Sequence, residues 1–308
     1  MARIVISEFM DERAVAQFAA AHDVLYDPTL VDDASRLATA AAAADALIVR
    51  NRTQVRGELL AALRRCKVVG RLGVGLDNID VDGCAARGIA VIPATGANAL
   101  SVAEYVIAAA LLLLRGAYRS TADVAAGGWP RNALGNGREA HGKTLGLVGF
   151  GSIGRLTTGL AHGIGMNVIA FDAMLDPADP AFRAAAAEPV SFDELVARAD
   201  VVSLHVPLVE STKHLFGAAR IAAMKPGAVL VNTSRGGIVD EAALAAALTS
   251  GRLGGAALDV FEVEPLGAGN PFADCPNVLL TPHIAGVSAE SNERVSFLIA
   301  AKVMEALR

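Results

Sequence analysis

The stretch Thr144-Leu145-Gly146-Leu147-Val148-Gly149-Phe150-Gly151-Ser152-Ile153-Gly154 constrains the fold of this chain more than any other. A short apolar run reads as a buried parallel strand, a G-x-G-x-x-G pattern follows at once, and Arg155 to Gly163 can continue as a helix. In such a unit Gly149 permits the tight turn, Gly151 lets the backbone approach a pyrophosphate, and Gly154 lets the helix pack close to the strand. Phosphates then sit at the helix N-terminus, where unpaired N–H groups and the dipole favour negative charge.

With 30 glycines in the chain a chance match is easy, so context decides. Met166 to Phe171 reads as a second strand, and Asp172 stands at its end, about 20 residues beyond the glycines, where a ribose-binding acid belongs. Asp172 would accept from a ribose 2′-hydroxyl and repel a 2′-phosphate, and no Arg or Lys follows it before Arg183. The expected cofactor is therefore NAD, with NADP the poorer choice.

A length of 308 residues exceeds one small domain and points to two, and 53% apolar content supplies both cores. Alanine-rich runs such as Ala38 to Ala44 and Ala242 to Ala247 favour helix. A net charge of −5 argues against a nucleic-acid surface. Cys66, Cys84 and Cys275 are odd in number and lack partners at metal-ligand spacing, so reduced thiols and no metal are expected. The chain enters a strand at Ile4 without a signal-peptide pattern, and the apolar run Ser101 to Leu114 contains Glu104 and falls short of the ~20 residues of a membrane span. These features predict a cytoplasmic protein without membrane partners.

Strands are expected at Ile4 to Ser7, Val24 to Tyr26, Ala46 to Val49, Val68 to Arg71 and Ala90 to Ile92. Helices fall between them at Asp11 to Ala21, Ala34 to Ala44, Gly57 to Leu63 and Val81 to Arg87. Alternation of this kind means a parallel sheet flanked by helices, complete before the glycine turn is reached. A long helix from Asn98 to about Gly116 leads to a loop around Gly127-Gly128-Trp129-Pro130. Beyond the turn, strands at Val201 to Leu204, Val229 to Asn232, Gly255 to Leu258 and Val278 to Leu280 precede a last helix, Ala289 to Leu307.

Ligands bind beyond the carboxyl ends of strands in open α/β sheets, and Arg235, Glu264 and His283 lie at or beyond such ends. Hydride transfer at a carbinol carbon needs an acid/base, a group that tunes it and a cation that fixes the substrate. Imidazole suits the proton, a carboxylate neighbour favours its charged form, and guanidinium binds a 2-oxo acid bidentately. His283, Glu264 and Arg235 would fill these roles. From the residues alone Glu262 competes with Glu264, while His205 and His214 show no acidic partner. Asp77, Asn78 and Asp80 read as a turn and helix cap more readily than as ligands.

Here the chain resembles the D-isomer-specific 2-hydroxyacid dehydrogenases, close in type to 3-phosphoglycerate dehydrogenase, over essentially its full length. The matching segments are Arg71-x-Gly73-x-Gly75-x-Asp77-Asn78-x-Asp80, Gly149 to Gly154, His205-Val206-Pro207-Leu208, Asn232 to Asp240, Ala257 to Phe261 and Pro282 to Gly286. The family's catalytic positions fall on Arg235, Glu264 and His283. The resemblance implies NAD contacts from Val74, Ser152, Ile153, Asp172, Val206, Pro207, Thr233, Ser234, Asp259 and Gly286, with Asp259 facing the nicotinamide carboxamide. It implies that N–H groups around Val74 and Gly75 hold the substrate carboxylate. It also implies a Rossmann NAD-binding domain, residues 99–283, inserted into a flavodoxin-like substrate domain, residues 1–98 and 284–308, both with doubly wound parallel sheets. Dimerisation would run through Ser101 to Gly116 and the loop after it.

The segment Ile48-Val49-Arg50-Asn51-Arg52-Thr53 leaves a strand end beside the Gly73-Val74-Gly75 loop. Arg50 and Arg52, with Arg71 nearby, point to a second anion on the substrate besides its carboxylate. Phosphate in 3-phosphoglycerate and sulfonate in 3-sulfolactate both satisfy that inference. The opening Ile6 to Glu12, the Arg50 to Thr53 loop and Ala289 to Arg294 look more like the (S)-sulfolactate dehydrogenases of this family than its serine-biosynthetic members. A different class stays open, because NAD-sensing corepressors of the same fold retain the triad.

Overall fold

The structure is a computed structural model that describes every residue except Pro276, with the backbone alone at Tyr118 and Arg119. The chain divides into two compact units, Met1–Asn98 with Val287–Arg308, and Ala99–Gly286. The second crossing comes after Gly286 rather than after His283, because the Ile284 and Ala285 N–H groups donate to the carboxylate of Asp259 and tie this turn to the second unit.

In the first unit, strands β1 (Arg3–Ile6), β2 (Asp23–Tyr26), β3 (Ala46–Val49), β4 (Val68–Arg71) and β5 (Ala90–Pro93) form one parallel sheet, ordered β2-β1-β3-β4-β5. Helices α1 (Glu12–Ala19), α2 (Ala34–Ala42), α3 (Gly57–Ala62) and α4 (Val81–Ala85) connect them. Side chains alternate across the pleat, so Val5, Leu47, Val49 and Val69 pack under Leu37, Leu60 and Leu63, while Ile4, Ile6, Ile48 and Val68 face the other way. The second face is covered by the C-terminal helix Ala289–Ala306, which buries Val295, Ile299, Ala300 and Val303. Each larger aliphatic side chain there contributes about 1.5–3 kcal/mol. Gly70 makes the close approach possible, since a Cβ would lie 2.8 Å from Ile299 and 2.9 Å from Val303.

The second unit begins with α5 (Ala99–Arg115) and the short α6 (Thr121–Ala125). Strands β6 (Thr144–Val148), β7 (Asn167–Phe171), β8 (Glu188–Pro189), β9 (Val201–Leu204), β10 (Val229–Asn232), β11 (Gly255–Leu258) and β12 (Val278–Leu280) form a parallel sheet ordered β12-β11-β10-β9-β6-β7-β8. One face is covered by α5 and α7 (Ser152–Gly163), the other by α9 (Phe192–Arg198), α10 (Ala218–Ala223) and α11 (Glu241–Thr249). Helix α8 (Pro180–Ala185) lies before β8, and α12 is the C-terminal helix of the first unit. The chain runs from β6 out to β7 and β8, then returns to β9 on the other side of β6. That reversal opens a crevice at the carboxyl ends of β6 and β9, where the glycine turn lies. No helix among the described residues is long and apolar enough to cross a membrane.

Candidate active site

The glycine turn has the geometry its sequence demands. Gly149 has φ +98° and donates its N–H to the Phe171 carbonyl at 2.8 Å, and a Cβ there would collide with the His205 carbonyl. Gly151 precedes α7 and faces open space, whereas a Cβ on Gly154 would lie 2.6 Å from the Gly149 carbonyl. Ser152 and Ile153 start α7, so its unpaired N–H groups point out of the turn. Asp172, at the end of β7, accepts from Phe150 N–H at 2.7 Å and Met174 N–H at 2.8 Å. About two of a carboxylate's four acceptor positions remain for ribose hydroxyls.

Two orphaned polar atoms sit at the neighbouring strand ends. The Thr233 hydroxyl, just past β10, and His205 Nδ1, just past β9, are buried without a hydrogen-bond partner among the described residues. His205 is only part-buried as a residue, but its ring is enclosed, and burial pushes its imidazole down to about 4. Nε2 meets Ser203 Oγ at 3.0 Å. Val206 and Pro207 continue outward from this strand end, and Ser234 Oγ donates to the Leu204 carbonyl at 2.6 Å, joining the ends of β9 and β10. Open space at Gly151, an unpartnered hydroxyl at Thr233 and acceptor capacity at Asp172 together fit a dinucleotide.

Arg235 is held through its backbone. Asn232, buried at the end of β10, donates from Nδ2 to the Arg235 carbonyl at 2.8 Å and accepts from Ser234 N–H at 3.0 Å. Arg235 Nη1 donates to the Ser234 carbonyl at 2.5 Å. Gly236 lets this loop lie directly on the next one, since a Cβ there would overlap the Phe261 carbonyl and come 2.6 Å from Glu262 N. The segments carrying Arg235 and Glu264 are therefore packed backbone to backbone.

Glu264 Oε2 meets His283 Nδ1 at 2.8 Å, and Glu264 Oε1 accepts from Phe261 N–H at 3.1 Å. Glu262 pairs instead with His214, Oε1 to Nε2 at 3.0 Å, so His214 does have the acidic partner that its sequence surroundings hide. Its own N–H donates to the Gly237 carbonyl at 2.7 Å, and Glu262 N–H donates to Glu241 at 2.7 Å. His283 has φ +58°, a left-handed backbone that costs a β-carbon residue about 1–2 kcal/mol. Asp259, 1% exposed, secures it: its carbonyl accepts His283 N–H at 2.9 Å, and its carboxylate accepts Ile284 and Ala285 N–H at 2.7 and 2.8 Å. Thr281 Oγ1 donates to the same carboxylate at 2.6 Å, which leaves about one acceptor position of four for a carboxamide. Gly286 ends this turn and the second unit.

In the first unit the Arg50–Thr53 loop is built around Glu8, which sequence reasoning had not singled out. This buried carboxylate accepts N–H groups from Arg50 at 2.8 Å, Arg52 at 3.1 Å and Thr53 at 3.0 Å. Asn78, also buried, donates to the carbonyls of Arg50 at 3.1 Å and Thr53 at 2.7 Å, and Asp80 caps α4 through Gly83 N–H at 2.8 Å. The two arginines diverge. Arg50 is half-buried, donates to Asn292 at 2.8 Å and lies 5.8 Å from the Phe9 ring, with no carboxylate partner among the described residues. Burial pulls its guanidinium below the ordinary arginine value, partly offset by the Glu8 charge. Arg52 is exposed and paired with Asp32. Val74 is exposed and Gly75 half-exposed on a loop shaped by Arg71, whose guanidinium fills the space a side chain at Gly73 would need.

Residues 107–285 match the family described as D-isomer specific 2-hydroxyacid dehydrogenase, NAD binding domain. The whole chain is 53% identical, over 307 residues, to an (S)-sulfolactate dehydrogenase of Chromohalobacter salexigens, covering 100% of this chain and 99% of that one. It is 42% identical over 277 residues to a D-3-phosphoglycerate dehydrogenase of Mycobacterium leprae, covering 89% of this chain but only 51% of that longer protein. The structure of an NAD-dependent formate dehydrogenase from Staphylococcus aureus in complex with NAD superposes with a TM-score of 0.84 at 26% identity, covering 100% of this chain and 96% of that one. The chain belongs to the D-isomer-specific 2-hydroxyacid dehydrogenase family and is an NAD-dependent oxidoreductase acting on CH–OH donors.

Proposed function

We propose that this enzyme interconverts (S)-sulfolactate and its 2-oxo acid, with Arg235, Glu264 and His283 as its catalytic residues. The observation that carries the substrate is Arg50, a half-buried guanidinium met by an amide and a ring instead of a carboxylate. Such a cation calls for an anion beyond the carboxylate common to all 2-hydroxy acids. Full-length similarity to a sulfolactate dehydrogenase supports the same reading. Arg52 would join Arg50 only by leaving Asp32. The second reading, 3-phosphoglycerate, draws on the mycobacterial relative, but a phosphate near −2 needs more cations than a sulfonate monoanion.

NAD, when bound, would supply the hydride acceptor for C2 of the hydroxy acid, and NADH the hydride donor for the reverse reaction. The residues we assign to holding it are Gly149, Gly151 and Gly154 of the glycine turn and, following the family resemblance, Val74, Ser152, Ile153, Asp172, Val206, Pro207, Thr233, Ser234, Asp259 and Gly286. With Nδ1 committed to Glu264, His283 presents Nε2 to the substrate hydroxyl and takes its proton as the hydride leaves. The carboxylate charge beside Nδ1 stabilises the imidazolium so formed. In reduction the same nitrogen returns the proton to the alkoxide oxygen. Arg235 holds the substrate carboxylate and polarises the neighbouring carbonyl.

The working form is a homodimer in the cytoplasm. Helix α6 buries no residue, and Trp129 in the following loop is 79% exposed, a large apolar area that a second copy would cover. The three cysteines are free and buried, as a reducing compartment keeps them. The deciding experiment is NADH turnover on a panel of 2-oxo acids bearing a C3 sulfonate, a C3 phosphate, a hydroxyl or a methyl. A sulfonate preference in kcat/KM supports the assignment, and a phosphate preference replaces it with the second reading.

A further inference from the structure

We infer that Thr281 and Tyr105 are positioning residues for His283, acting through Asp259; the inference rests on the reading of His283 as the proton carrier. The left-handed backbone at His283 exists because the residues around it are tied to one buried acid. Asp259 takes the N–H groups of residues 283 to 285, one on its carbonyl and two on its carboxylate. The orientation of that carboxylate therefore fixes the turn that presents the imidazole.

The carboxylate is itself aimed from the other side. Thr281 Oγ1 lies 2.6 Å from Asp259 Oδ1 and 2.6 Å from the Tyr105 hydroxyl. An ionised carboxylate only accepts, so the single hydroxyl proton of Thr281 goes to Asp259, and Tyr105 must donate to Thr281. The direction runs Tyr105 to Thr281 to Asp259, from helix α5 to the end of β11. Burial raises the Tyr105 pKa, opposed by the hydrogen bond with Thr281 and aided by the Asp259 charge, and the hydroxyl stays protonated for this role. Without the Thr281 hydroxyl, Oδ1 keeps only Ile284 N–H, and the plane of the carboxylate is no longer set by donors on two sides. A small rotation moves the 283–285 turn relative to Glu264, and catalysis is steep in such displacements, about 100-fold for 1 Å.

The test compares Thr281→Val, Thr281→Ser and Tyr105→Phe with His283→Ala, measuring kcat, KM and melting temperature with any 2-oxo acid the enzyme reduces. Thr281→Val is expected to lower kcat about tenfold or more with little change in KM, since the ground-state contacts persist. Thr281→Ser, which keeps the hydroxyl and loses the methyl, should recover most of the rate, and Tyr105→Phe should cost a few-fold. Wild-type turnover in Thr281→Val overturns the inference, and so does an equal loss in Thr281→Ser, which would assign the effect to methyl packing. Should Thr281→Val fail to fold, Tyr105→Phe decides by the same comparison. A collapsed His283→Ala beside a normal Thr281→Val removes this inference alone. Near-normal turnover in His283→Ala removes the underlying reading with it.

Discussion

Gly236 lies so close to Phe261 that a single methyl group on its α-carbon would overlap the Phe261 carbonyl oxygen. Nothing at the far side is a flexible side-chain end that could move aside. The contact sets the spacing between the loop that carries Arg235 and the loop that carries Glu264. Gly236→Ala should therefore lower kcat/KM by about 100-fold on every 2-oxo acid tested, the cost of roughly 1 Å of misplacement, while NADH binding changes much less. Steady-state kinetics with NADH titration by fluorescence checks this. Wild-type kcat/KM would show that the two loops separate without harm.

Asp172 has acceptor capacity left after holding the Phe150 and Met174 N–H groups. Asp172→Ala should weaken NAD binding and narrow the discrimination against NADP, because the ribose acceptor and the charge that repels a 2′-phosphate disappear together. The ratio of kcat/KM for NADH and NADPH measures it. A ratio unchanged by the substitution would take Asp172 out of cofactor selection.

Most strands were legible as short apolar runs between clear breaks, and Ala46–Val49, Val68–Arg71, Val201–Leu204, Val229–Asn232, Gly255–Leu258 and Val278–Leu280 coincide with their expected limits, whereas β8, the two-residue Glu188–Pro189, is no apolar run and was not anticipated. Helices α6, α8, α9 and α10, five to seven residues each, hold too few turns for a period to show and were not anticipated, while α3 and α4, equally short, were legible from the strands that alternate with them. Glu262 and Glu264 could not be told apart locally, since both stand on one loop; their partners, His214 and His283, lie 48 and 19 residues away. Glu8 left no signal for the same reason. Its three donors come from residues 42 to 45 positions downstream, brought to it by strand pairing that only the sheet order reveals.

The enclosed His205 ring links proton uptake to stability. Its folded value of about 4 lies below the 6.5 of an exposed imidazole, so between these values the unfolded chain binds a proton that the native state refuses. The contribution of this group to stability is present above pH 6.5 and declines as pH falls towards 4, by at most roughly 3 kcal/mol. Urea unfolding at pH 7.5 and pH 4.5 should show a smaller acid-dependent loss in His205→Gln than in the wild-type protein. Comparing the two proteins cancels the losses from carboxylates such as Asp200, which Lys225 holds below its ordinary value against the opposing effect of burial. Equal losses would mean the imidazole is open to protonation in the native state.

Arg50 and Arg52 offer the sharpest separation, because one loop sends them into different surroundings. Arg50 is half-buried against Asn292 and Phe9, and Arg52 is spent on Asp32 at the surface. A hydrogen bond to a charged group is worth roughly 1.5–3 kcal/mol, or about one to two decades in kcat/KM. Arg50→Ala should remove that much from the 2-oxo acid bearing a C3 sulfonate while leaving any residual activity on pyruvate much less affected. An exposed ion pair contributes about 0–1 kcal/mol, so Arg52→Ala should change both substrates by no more than a few-fold. The measurement is the ratio of kcat/KM values for the two substrates in each variant. If Arg50→Ala lowers both equally, the loop is structural and the distal anion is recognised elsewhere; if Arg52→Ala matches the selective loss, Arg52 leaves Asp32 when substrate binds.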